Sequence, residues 1–132
     1  MFKDLSPGIK ISITRSITTS FENYMSGIGW NEKKFDMEKF VDEWRKYITA
    51  SSSWYDKLSD DIKNNPTFHE QLASKINETI DKILSEEPTD DQKELIEKLQ
   101  RETGEELDYT CKTEAKYVIE RLKEVLKKKQ ND

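Results

Sequence analysis

The chain has 132 residues, of which 33% are hydrophobic and 37% are charged, and its 22 basic and 27 acidic side chains give a formal charge of −5. This balance excludes a strong overall attraction to DNA or to anionic membranes. Its one cysteine, Cys111, excludes an internal disulfide and a cysteine-based zinc site. The length predicts one domain, and the three Trp, five Tyr and five Phe predict an ordered core.

The N-terminal segment, residues 9–25, fits two kinds of secondary structure. Isoleucines alternate with polar residues at Ile9, Ile11 and Ile13, which is the period of a strand. Apolar residues also recur at helical spacing, at Ile9, Ile13, Ile17, Phe21 and Tyr24. Ser6 and Pro7 supply a helix cap and a first-turn proline. We favour a helix because the chain offers no second strand, and a strand here would have to pair with another chain.

The middle of the chain predicts three helices. Asp36 caps the first, whose apolar stripe is Phe40, Val41, Trp44, Tyr47 and Ile48. The serines at 51–53 end it, and a short helix over 54–62 follows. Thr67 and Glu70 have the spacing of a capping box, which predicts a third helix ending near residue 84.

A boundary is predicted at Glu86-Glu87-Pro88, since proline disfavours helix in the residue before it. It divides the chain into a helical core domain, 1–87, and a C-terminal module with a basic tail, 88–132. Thr89 and Gln92 predict a capped helix that stops at Gly104. A loop then leads to a second helix that opens with Thr113-Glu114-Ala115.

Residues 88–129 resemble a known module. The motif begins Pro88-Thr89-Asp90-Asp91-Gln92, and the apolar positions that carry the resemblance are Leu95, Ile96, Leu99, Val118, Ile119, Leu122, Val125 and Leu126. Their spacing resembles a short helix–loop–helix domain of unknown function that recurs in bacterial and bacteriophage proteins and is sometimes appended to DNA-processing proteins. The resemblance implies a bacterial or phage origin and a link to nucleic acids, but no chemistry. Residues 1–87 resemble no family.

Together these patterns predict an all-α fold, with four to six helices in one small domain that ends in a helix–loop–helix hairpin. No window approaches eighteen apolar residues, and the N-terminus lacks the features of a signal peptide. We therefore expect a cytoplasmic protein without a membrane span, either a monomer or a homodimer.

No pattern in the sequence indicates catalysis or a bound cofactor. The one histidine, His69, is placed in the first turn of a helix, where a solvent-facing or packing role is usual. Cys111 is interpreted as a small apolar residue under a loop. Paired carboxylates such as Asp90-Asp91 sit near helix ends, where the helix dipole favours negative charge. We expect no catalytic residue, no cofactor and no metal.

Two sets of residues are candidates for binding. Aromatic residues beside loops are enriched at protein interfaces. The first set therefore combines four such aromatics with two residues of the hairpin loop: Trp30, Phe35, Trp54, Tyr55, Leu107 and Tyr109. Core packing is the competing interpretation of the aromatics. The second set lies in the basic C-terminal helix and suits phosphate contacts: Lys112, Lys116, Lys123, Lys127 and Lys128. Complementing the dipole of that helix is the competing interpretation.

Three functional hypotheses follow from the sequence, of which an enzyme is the third and the least favoured. The first is a non-enzymatic interaction protein, encoded by a phage or mobile element, which binds a host or phage protein. One form of this hypothesis is that binding inhibits the bound protein. The second is a nucleic-acid-binding accessory protein in replication or recombination, which uses the lysines of the last helix.

Overall fold

The computed structural model describes residues 4–51 and 53–131, and these form helices joined by short connections, with no strand among them. This confirms the all-α prediction. The described part holds seven α-helices rather than four to six: α1 (Pro7–Gly27), α2 (Met37–Ser51), α3 (Ser53–Asp56), α4 (Asp60–Lys63), α5 (Pro66–Ser85), α6 (Asp90–Thr103) and α7 (Lys112–Asn131). A 3₁₀ turn, Glu32–Lys34, lies between α1 and α2.

The chain divides into two compact units, Met1–Asp81 and Lys82–Asp132. This division falls within α5, six residues before the boundary that the sequence predicts after residue 87. Helix α5 itself ends at Ser85, and non-helical residues then lead to α6. Within the described residues, none of the helices is both long enough and apolar enough to cross a membrane.

The ambiguous N-terminal segment is the helix α1. The Ser6 hydroxyl accepts a hydrogen bond from the Ile9 backbone N–H at 3.3 Å, and Pro7 occupies the first turn. The buried face of α1 carries Ile13, Ile17, Phe21 and Tyr24. Tertiary packing of this face outweighs the modest helix propensity of its β-branched residues.

Helix α2 begins as the sequence predicts. The Asp36 carboxylate accepts hydrogen bonds from the backbone N–H groups of Glu38 and Lys39, at 3.0 and 3.4 Å. Helices α1 and α2 are joined by a buried polar contact, in which the Trp44 indole N–H donates to the Ser16 hydroxyl at 3.0 Å. The Phe40, Trp44 and Ile48 side chains complete the buried face of α2.

Two local predictions in the middle of the chain are wrong. The segment 54–62 forms two short helices, α3 and α4, because the Ser59 hydroxyl accepts from the Ile62 N–H and starts a new helix. The predicted capping box of Thr67 and Glu70 does not begin α5. Instead the Asn65 side chain accepts from the Thr67 N–H at 2.8 Å, and Pro66 is the first helical residue.

The second unit contains the helical hairpin α6–α7. The predicted capping box of Thr89 and Gln92 is present, with hydrogen bonds of 3.1 and 3.0 Å, and Gly104 ends α6 in the left-handed conformation at φ +74°. Buried residues from both helices form the core between them: Ile96, Leu99, Ala115, Val118 and Leu122. The Lys129 ammonium donates to the Thr103 carbonyl at the C-terminal end of α6, where the helix dipole favours a positive charge.

Candidate functional site: an apolar groove with a basic rim

Two of the predicted partner-binding aromatics belong to an aromatic cluster in the first unit. The Trp30 ring lies 6.1 Å from the Phe21 ring in an edge-to-face arrangement. The Phe35 ring lies 6.2 Å from the same Phe21 ring. Phe40 meets the same Phe21 ring at 5.7 Å. Trp30 is buried and Phe35 is half-buried. Both side chains therefore contribute to core packing.

The other two aromatics lie on the short helix α3. Trp54 is buried, and its ring stacks on that of Trp44 with 6.3 Å between centroids. Its indole N–H has no hydrogen-bond partner among the described residues. Tyr55 is half-buried and packs edge-on against Trp54 at 5.9 Å. Of the four aromatics, Tyr55 lines a groove.

This groove, the α2–α5 groove, is a cavity of about 340 Å³ in the first unit. Helices α2 and α5 contribute most of its lining, and α3 and α4 add one residue each. The lining is mainly apolar and comprises Met37, Val41, Trp44, Arg45, Ile48, Thr49, Tyr55, Lys63, Phe68, His69, Leu72, Ala73, Ile76 and Asn77. Its volume lies in the lower part of the range of about 300–1,000 Å³ that ligand-binding clefts occupy.

The groove has buried apolar residues at its base and exposed residues along its rims. On α5, Phe68, Leu72 and Ile76 are spaced four residues apart and are buried, as are Trp44 and Ile48 on α2. The rim residues of α5 are also spaced by four: His69, Ala73 and Asn77. Because residues four apart share a helix face, each helix presents two adjacent rows to the groove.

The charged lining of the groove is entirely basic. Arg45 is exposed on α2, Lys63 is half-buried at the end of α4, and the only other titratable side chains there are His69 and Tyr55. No carboxylate lies among the described lining residues, although residues 1–81 contain 13 acidic and 11 basic side chains. The charged side chains of the lining are therefore positive, in a unit whose net charge is negative.

The positions of two rim residues are held by local contacts. The Lys63 ammonium lies 4.4 Å from the centroid of the Tyr55 ring, a distance suited to a cation–π interaction. The His69 ring is 2.6 Å from the Lys63 carbonyl oxygen through its Nε2 atom. Because a carbonyl can only accept, Nε2 carries a proton in this contact. The pair forms a polar end to the groove.

The hairpin loop residues of the predicted interface pack on the hairpin itself. Leu107 and Tyr109 are half-buried against the α6–α7 core. The Gln100 side-chain amide donates to the Leu107 carbonyl at 3.3 Å, which ties the loop to α6. The exposed remainder of the loop is acidic, with Glu105, Glu106 and Asp108.

The predicted phosphate-binding lysines are exposed on α7, and four of the five share one face. At about 100° per residue, Lys112, Lys116, Lys123 and Lys127 fall within an arc of about 60° and extend for about 22 Å along the helix. Lys128 lies about 100° around the helix from Lys127 and is outside this lysine stripe. Glu120 borders the stripe and reduces its positive charge.

Of the two residues considered for catalysis, His69 lies at the surface and Cys111 lies in the interior. His69 is exposed at the groove rim, as described above. Cys111 is fully buried, and its sulfur lies 3.4 Å from the Glu114 backbone N–H at the start of α7. Within residues 4–51 and 53–131, no group of three or more His, Cys, Asp or Glu side chains is placed to hold a metal ion.

Comparison of the chain with protein-family models, curated proteins and solved structures found no match. We therefore infer the candidate site from the geometry of the groove alone. Sequence reasoning missed its basic rim, because Arg45, Lys63 and His69 lie in three separate helices. One signal was present in the sequence. The apolar side chains of α2 extend beyond one buried row, because Met37 and Val41 lie beside that row.

Proposed function

We propose that this protein is a non-enzymatic interaction protein that acts by binding another protein through the α2–α5 groove. The observation that carries the proposal is an open apolar groove between two helices whose rim carries basic side chains and no carboxylate among its described lining. Met37, at the groove, is 39% exposed and is one of the large hydrophobic side chains left in contact with solvent. Exposed apolar surface bordered by polar residues is typical of interaction sites.

Binding to a protein also suits the chemistry of the chain. Interfaces combine an apolar centre with a polar rim, and a few well-placed side chains provide most of the binding energy. The groove offers Trp44 and Phe68 at its base and Arg45 at its rim. A phage or mobile-element origin, and inhibition of a host or phage target, are the biological context that we propose for this binding.

An affinity pull-down from a bacterial lysate, with and without nuclease, tests the proposal when it includes groove variants. Ala73→Glu places a long charged side chain on an exposed rim position, and Ser74→Glu is the matched control on the next, non-lining residue. We expect a stoichiometric protein that survives nuclease and is captured by wild type and Ser74→Glu but not by Ala73→Glu. Equal capture by both variants would rule out the groove as the binding site.

A second candidate function is binding of nucleic acid through the lysine stripe, as an accessory protein in replication or recombination. The observation that favours it is the alignment of four exposed lysines over about 22 Å of one helix face, since each phosphate contact releases counterions and steepens the salt dependence of binding.

Fluorescence anisotropy with a labelled DNA duplex at several salt concentrations tests this second candidate. If the stripe contacts phosphates, Lys123→Glu and Lys127→Glu should each weaken binding and lower the salt slope by about 1. Lys128→Glu changes the net charge equally but lies outside the stripe, so its effect should be small. An equal loss with all three variants would indicate a general charge effect and would remove the stripe as a site.

A further inference from the structure

We propose that the segment which the α2–α5 groove binds is an acidic amphipathic helix of the partner protein. This inference rests on the proposed function, since it specifies the chemistry of the partner at the same groove. Three properties of the groove lead to it: its length, its opening and its charge.

The residues that line the groove extend over about three turns of α2 and two and a half turns of α5. Its lining on α2 extends from Met37 to Thr49, about 18 Å of helix, and its lining on α5 extends from Phe68 to Asn77, about 14 Å. An α-helix of ten residues is about 15 Å long. A partner helix with apolar residues at positions i, i+4 and i+7 would meet the buried rows along this distance.

The opening of the groove favours a helix over a small apolar molecule. Rim residues are exposed on both walls, with Arg45 and Thr49 on α2 and Ala73 and Asn77 on α5. Sites for small ligands bury about 70–90% of the ligand surface. A groove that is open along its length leaves one side of its occupant in solvent, as an amphipathic helix requires. The small Ala73 side chain also allows close approach to α5.

The charge of the groove selects an acidic partner. Among the described residues, neither the Arg45 guanidinium nor the Lys63 ammonium forms an ion pair, so each can pair with a partner carboxylate. The two cations lie on different helices, Arg45 on α2 and Lys63 on α4, and His69 adds an ionisable group on α5. Aspartate or glutamate beside the apolar stripe of the partner helix would complement them, and a basic helix would be rejected by like charge.

Selection from a displayed library of helical peptides of about 16 residues, against the full chain, tests the inference without knowledge of the natural partner. We expect enriched sequences with an apolar stripe flanked by Asp or Glu. Their affinity, measured by fluorescence anisotropy, should fall about tenfold or more with Arg45→Glu, since a charge reversal replaces attraction with repulsion. Lys46→Glu is the matched control, because Lys46 lies on α2 outside the groove.

A charge swap separates recognition from loss of folding. A peptide in which one Glu is replaced by Lys should bind Arg45→Glu better than it binds wild type, and circular dichroism of the variant should match wild type. Enriched peptides that lack acidic residues, or that bind Ala73→Glu as well as Ser74→Glu, would overturn the inference and leave a different protein-binding mode open to the pull-down. Failure to enrich any peptide would also overturn it, and the pull-down would then decide the proposed function separately.

A further experiment tests for a different occupant of the groove, a small amphipathic anion. Titration with dodecanoate, read by the tryptophan fluorescence to which Trp44 in the groove contributes, should produce no saturable change. A saturable change that is lost in Ala73→Glu and kept in Ser74→Glu would assign the groove to small amphipathic anions and would overturn the helix inference.

Discussion

The buried hydrogen bond between Trp44 and Ser16 gives the sharpest test of the packing in the first unit. The indole N–H donates to the Ser16 hydroxyl at 3.0 Å, and the exposed fractions of the two residues are 4% and 3%. The hydroxyl in turn donates to the Ile13 carbonyl at 2.6 Å. Replacing Ser16 with Ala would therefore leave a buried indole N–H without a partner.

The expected cost follows from two opposing terms. An unpaired buried donor costs about 1–3 kcal/mol. Alanine is the better helix former by about 0.5 kcal/mol, which offsets part of that cost. We therefore expect Ser16→Ala to lower the free energy of unfolding by about 0.5–2.5 kcal/mol. In a Trp44→Phe background no indole N–H remains, so the same substitution should be neutral there or stabilising by up to about 0.5 kcal/mol.

Urea unfolding followed by tryptophan fluorescence measures these values. All three tryptophans lie in residues 1–81, so the signal reports on the first unit, and Trp44→Phe retains two of them. Ser20→Ala is a matched control one turn along α1, because Ser20 is also buried but its hydroxyl has no partner among the described residues. We expect that control to be neutral or stabilising. Equal destabilisation by Ser16→Ala in both backgrounds would refute the hydrogen-bond argument.

Three further predictions concern the hairpin and are measured by urea unfolding with far-ultraviolet circular dichroism or by thiol labelling. Gly104→Ala should cost about 1–2 kcal/mol through its left-handed backbone alone, since the added Cβ would meet nothing closer than the Lys129 ammonium at 4.0 Å. Leu122→Ala, at 0% exposure, should cost about 2–5 kcal/mol, whereas Leu84→Ala, at 45% exposure, should change stability by no more than about 0.5 kcal/mol. Cys111 should react slowly with a thiol reagent and faster as urea rises, because its side chain is fully buried; rapid labelling of the native protein would contradict this placement.

Features determined within one helical turn were predicted well from the sequence. The capping box at Thr89 and Gln92 and the glycine end of α6 are present, because both depend on hydrogen bonds and backbone angles of adjacent residues. The cap at Asp36 is present for the same reason. At the start of α5, where two capping signals competed, the prediction was wrong. The Asn65-Pro66 start prevailed over the Thr67 and Glu70 pattern, since asparagine before a first-turn proline satisfies the helix end earlier.

By itself, the sequence determined the helical class and the ends of several helices, because periodicity and capping are properties of residues close in the chain. The tertiary structure decided which apolar residues are buried. It placed Trp30 and Trp54 in the core and left Met37 exposed at the groove. It also brought the cations of α2 and α4 to the α2–α5 groove, although they are 18 residues apart in the chain. Such a site is formed by the packing of separate helices, and no local pattern of residues specifies it.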